Sequence, residues 1–196
     1  MSTHYKFGQD IKQAVKMAEV LEDYVRSEQL YGYAAGLFST MPSMTVGALL
    51  LRLRRLDILR EHLKDYQSKQ LDTAIDRYML VRTNWTYHYS EKLHEEAYSR
   101  IDAMKAFFYE CSDNIRNCIG IYKPEIMRRT IVQELLREMD DLNVGQGAEL
   151  TSKIEDIDEK LLKVTEKAKF QWADILQSAY DNQEFSWLYR SPPNIP

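Results

Sequence analysis

Residues Leu71 to Ile119 read LDTAIDRYMLVRTNWTYHYSEKLHEEAYSRIDAMKAFFYECSDNIRNCI and contain neither Gly nor Pro. Apolar side chains recur at Leu71, Ile75, Tyr78, Trp85, Tyr89, Leu93, Ala97, Ile101, Met104, Phe108, Cys111, Ile115 and Cys118, mostly three or four apart. That spacing draws one stripe along a very long helix, or along two helices joined with little pause. Unbroken, the helix would run roughly 70 Å. It could not bury its stripe alone, so the other segments are expected to pack along it. The weak point is Asn84 to Ser90, where Asn, Thr and Ser side chains can bond to the local backbone. Ser90 could cap a helix restarting at Glu91.

Four more helices are expected around this stretch. Asp10 to Leu30 is amphipathic, with Ile11, Val15, Ala18, Leu21 and Val25 on one face. Thr45 to Lys64 is apolar almost all round in its first half, with Ser43 or Thr45 as N-cap. Pro124 to Leu142 opens with Pro in its first turn and an acid beside it. Ala148 to Tyr180 carries Leu150, Ile154, Ile157, Leu161, Val164 and Ala168 in alternating gaps of four and three, a coiled-coil-like seam. Between the first two helices, Tyr31 to Met41 is too apolar for a solvated loop and is expected to plug one end of the core.

The reading is therefore all-α: an elongated helical bundle of about five helices around a long central helix. Residues 1–184 form one helical-bundle domain, and 185–196 (FSWLYRSPPNIP) form an aromatic, Pro-rich C-terminal arm. The arm either docks on its own bundle or offers a short peptide to a partner.

Composition narrows the function. A formal net charge of −4 argues against general nucleic-acid binding, which needs basic surface to displace counterions. No signal-peptide core precedes the first helix, and no apolar run approaches the roughly 18 residues that span a bilayer. Cys111 and Cys118 sit seven apart on one helical face, about 10 Å from each other in a helix, too far for a mutual disulfide. They read as reduced core residues of a cytoplasmic protein. Thirteen Tyr suit half-buried surfaces and interfaces.

Chemistry-bearing patterns are sparse. Glu91-Lys92-Leu93-His94 is half of the Glu-x-x-His grammar of metal-binding bundles, so His88, Glu91, His94 and Glu95 are weak metal candidates. No Gly-x-Ser-x-Gly elbow or Gly-rich phosphate loop occurs, and no catalytic residue or cofactor is assigned. Asn84 to Tyr89 (NWTYHY) crowds aromatics that cannot all face one core, since successive helical residues point about 100° apart. Trp85, Tyr87 and Tyr89 are therefore interaction candidates, together with Phe185, Trp187 and Tyr189 of the tail. Arg52, Arg54, Arg55 and Arg60 could make a basic face for an anionic membrane. Their scatter around the wheel favours pairing with acids of neighbouring helices instead. These features point first to a non-enzymatic interaction or scaffold protein whose partner is itself, as a homo-oligomer, or another protein. A small-molecule- or metal-binding bundle, which could be an enzyme, is the alternative.

Overall fold

A computed structural model describes residues 5–34, 41–114 and 116–193. It is all-α, with six helices longer than one turn among the described residues: α1 (Phe7–Arg26), α2 (Val46–Ile58), α3 (Asp65–Asn84), α4 (Thr86–Asp113), α6 (Tyr122–Asp141) and α7 (Ala148–Val164). A single turn, α5 (Arg116–Ile119), lies between α4 and α6. Two ladders of two residues each, β1 (Gly32–Tyr33) with β2 (Ser43–Met44) and β3 (Glu166–Lys167) with β4 (Arg190–Ser191), are antiparallel. Among the described residues, no helix is long and apolar enough to cross a membrane. The chain divides into two compact units, His4–Glu96 and Ala97–Pro196, and the division falls inside α4.

In the first unit, α1 packs on α2 and α3. Its stripe of Ile11, Ala14, Met17, Ala18, Leu21 and Val25 is buried, as its helical spacing requires. The apolar first half of α2 is buried all round, from Val46 to Leu53. Its N-terminus has two caps. Thr45 Oγ1 accepts the Ala48 N–H at 3.1 Å, and the fully buried Glu96 carboxylate accepts the Gly47 N–H at 2.8 Å. A carboxylate suits this position because the helix dipole is positive there. Gly32 lies so close to the Tyr24 ring that a Cβ would meet its Cδ2 at 2.9 Å, and the Tyr24 hydroxyl donates to the Leu30 carbonyl at 2.7 Å. Of the loop from Tyr31 to Met41, residues 35–40 lie outside the described residues.

The arginines of α2 turn inward or pair locally. Arg55 holds both carboxylate oxygens of Asp10, and Arg52 approaches the same carboxylate at 3.5 Å. Arg52 also donates twice to Gln13 Oε1, at 3.0 and 2.9 Å, and once to the Ala48 carbonyl at 2.6 Å. Arg60, just beyond the helix, bridges Asp57 and Asp72 at the surface. Arg54 is half-buried. The guanidiniums of Arg52, Arg55 and Arg60 thus meet acids of their own chain.

Three expectations need correction. Within Leu71–Ile119 the chain breaks at Trp85 (φ −121°, ψ 32°), inside the expected Asn84–Ser90 window, but α4 then ends at Asp113 instead of continuing to Ile119. Cys111 and Cys118 form a disulfide, with Cα atoms 5.6 Å apart. The 10 Å expectation assumed a continuous helix, and the chain turns between the two residues. The coiled-coil-like helix expected to reach Tyr180 stops at Val164: Thr165 is extended, and Glu166 and Lys167 pair with Ser191 and Arg190. Arg190 fixes that turn by donating to Thr165 Oγ1 at 2.8 Å and to the Thr165 carbonyl at 2.6 Å. The seam as far as Val164 is buried.

In the second unit Phe185, Trp187 and Leu188 of the tail are buried. Ring contacts run from Phe170 through Trp172, Tyr180 and Phe185 to Trp187, with centroids 5.0 to 6.4 Å apart. Trp187 is clamped against α6. Its indole N–H donates to Thr130 Oγ1 at 2.9 Å, its carbonyl accepts the Tyr122 hydroxyl at 3.1 Å, and the Arg129 guanidinium stacks 4.0 Å above its ring. Arg129 meanwhile grips Asp158 of α7 through two bonds of 2.8 Å. Such bidentate pairing is geometrically specific and ties α6 to α7. Burial pushes the Tyr122 phenol well above the usual tyrosine range.

Candidate functional site

The first turns of α4 carry most of the candidate residues. The backbone ladder crosses Trp85 without a gap: its N–H donates to the Val81 carbonyl and its carbonyl accepts the Tyr89 N–H, both at 2.9 Å. From Thr86 on, side chains rotate by about 100° per residue, while Trp85, outside helical geometry, separates that register from α3's. Tyr89 is fully buried and Trp85 half-buried, while Tyr87 (70% exposed) and His88 face solvent. The crowding in the sequence resolves into separate faces. Arg26, at the end of α1, lies 4.5 Å over the Trp85 ring, and His88 meets the same ring edge-on at 5.6 Å.

Two recesses share Glu91 and Glu95. One, of about 260 Å³, is lined by residues of the α1 C-terminus (Arg26 and Glu28 among them) and by His88, Glu91, Lys92 and Glu95. The other, of about 410 Å³, is shallower and has Tyr87, Ser90 and His94 on its walls. Tyr87 donates to the Glu91 carboxylate, which holds its phenol above the usual range because ionisation would place two negative charges together. His94 turns its Nδ1 to the Ser90 carbonyl oxygen at 2.9 Å. The four residues named as weak metal candidates thus point to different neighbours. Among the described residues, no three His, Cys, Asp or Glu are grouped to hold a metal ion.

Lys92 is the residue that sequence reasoning missed. Its side chain is 6% exposed, its ammonium donates to the Glu95 carboxylate at 3.4 Å, and it sits 5.7 Å from the Tyr24 ring. The signal was present. Lys92 stands three residues after Tyr89 and four before Glu96, both fully buried, so it shares their face. A buried ammonium has three donors and one long bond here, in a cleft that also presents the Arg26 guanidinium and three carboxylates. The arrangement suits a small polar ligand carrying both signs of charge.

The tail candidates lie elsewhere. Phe185 and Trp187 are core residues rather than surface anchors, and Tyr189 donates its hydroxyl to the Tyr180 carbonyl at 2.8 Å. Fold and site together define an all-α protein with a mixed-charge cleft beside exposed aromatics. Comparison with known protein families, with characterised proteins and with solved structures finds no match to this chain.

Proposed function

We propose that this chain is a non-enzymatic interaction or scaffold protein that self-associates through the α3–α4 junction. The supporting observation is the exposure of Leu80 (59%) and Tyr87 (70%). They flank the junction, Leu80 near the end of α3 and Tyr87 in the first turn of α4, with Met79 exposed beside Leu80. Exposed apolar and aromatic side chains on both sides of one junction are the composition of an interface core. Sedimentation velocity across a concentration series tests this reading. The wild-type chain should form a discrete oligomer that Leu80→Glu with Tyr87→Glu dissociates. A wild-type monomer at every concentration would remove self-association.

Lys92 and its cleft support a second reading, in which the bundle binds a small zwitterionic molecule. A cytoplasmic location rested on two reduced thiols. Joined cysteines belong to oxidising compartments or to redox-responsive proteins, so that support is withdrawn.

A further inference from the structure

We infer that Cys111 and Cys118 form a redox switch: their disulfide holds the end of α4 broken, and its reduction lets α4 and α5 join as one helix through Ile119. Two geometries are in competition. In a continuous helix, residues seven apart rise about 10 Å, beyond the Cα separation that a disulfide spans. Here the Cα atoms are 5.6 Å apart, which requires the break between Asp113 and Arg116. The bond and the unbroken helix exclude each other.

The sequence is compatible with both states. Neither Gly nor Pro interrupts the chain from Leu71 to Ile119, and Cys118 falls in register with the stripe of Leu93, Ala97, Ile101, Met104, Phe108 and Cys111. These stripe residues are buried, Cys118 included, so joining the helices keeps both sulfurs on the apolar face. The broken state has its own local support. The Asn114 N–H makes the last α4 bond to the Glu110 carbonyl at 3.0 Å, while Asn114 Oδ1 accepts the Arg116 N–H at 3.1 Å and starts the next turn. Asn competes in this way with helix continuation at a cost of well under 1 kcal/mol per residue in propensity. So small a bias does not by itself hold the helix broken, and the covalent bond decides the balance. The broken state also leaves Ile119 (45%) and Ile121 (51%) exposed just before α6.

The chemistry balances by thiol–disulfide exchange. On oxidation the two cysteines give up two protons and two electrons to a low-molecular-weight disulfide, such as glutathione disulfide, which leaves as two thiols. A dithiol reductant reverses the step and departs as a cyclic disulfide. Both sulfurs are buried, so exchange waits on opening of the last α4 turn.

Hydrogen exchange read by mass spectrometry, on protein equilibrated with oxidised glutathione or with dithiothreitol, tests the inference. Amides 116–118 should exchange at least about tenfold more slowly after reduction, because each gains a helical acceptor four residues earlier. Protection in α6 and α7 should stay unchanged. Cys111→Ser with Cys118→Ser should reproduce the reduced pattern without reductant, and the reduced wild type gives the answer if that variant does not fold. Equal exchange in the two states would overturn the switch. So would a general loss of protection on reduction, which would make the bond a structural staple, or two titratable thiols remaining under glutathione disulfide.

Discussion

Asp10→Asn is the sharpest perturbation of the first unit. The Asp10 side chain is 6% exposed and lies between Arg52 (11%) and Arg55 (12%), with the Tyr5 hydroxyl donating to it. Removing one partner of a buried ion pair costs about 3–5 kcal/mol, because the remaining charge is left uncompensated. Two features reduce the figure here. Arg52 keeps Gln13 and the Ala48 carbonyl, and Asn retains one acceptor oxygen for Arg55. The expected loss is about 3 kcal/mol, or a Tm drop of roughly 6–12 °C for a chain of this size. Urea unfolding followed by circular dichroism measures it. Adding Arg55→Met should return at least half of the loss, since the stranded guanidinium is then gone. A loss under about 1 kcal/mol would refute the internal ion cluster and return these arginines to the surface. Co-sedimentation with anionic vesicles provides the matching control: the wild type should stay in solution, because Arg52 and Arg55 are already occupied.

Two further outcomes are expected. NMR titration with free glycine up to millimolar concentration, as a minimal zwitterion, should shift the Lys92, His88 and Glu91 signals, and Lys92→Met should abolish the response; an unresponsive wild-type cleft would discard the ligand-binding reading. Burial raises the Tyr122 phenol above its unfolded value of about 10, so the stabilisation that this implies is complete below that pH and is lost as pH rises from there toward the folded value. Alkaline unfolding monitored at the phenolate absorbance should therefore be less steep in Tyr122→Phe than in wild type, and identical slopes would contradict the burial.

Most of the helices are legible in the sequence because their cause is local. The stripes of α1, α6 and α7 follow from side chains recurring at the helical period, and the Thr45 cap follows from a hydroxyl standing before an apolar run. NWTYHY is legible as a conflict, since four bulky rings at 100° intervals cannot share one face. How the conflict resolves depends on which elements pack beside α4, and no residue within the hexapeptide encodes that. Lys92 shows the same limit: its register places it on the buried face, but only α1 closing over it makes a cleft.

Periodicity and composition by themselves determined an all-helical chain, where its apolar stripes lie, and the absence of recognisable catalytic motifs. Tertiary structure decided what happens where local preference is nearly balanced. The chain leaves the helix at Thr165 because Arg190 and the β3–β4 pairing supply backbone and side-chain partners to Thr165, Glu166 and Lys167 from more than 20 residues further on. Trp187 becomes core because α6 offers it Thr130, Arg129 and Tyr122. Cys111 reaches Cys118 because the chain turns at Asn114. Helix propensities differ by fractions of a kcal/mol per residue, whereas burying an indole or closing a covalent bond is worth several. Where those long-range terms act, they set the backbone, and the local pattern yields to them.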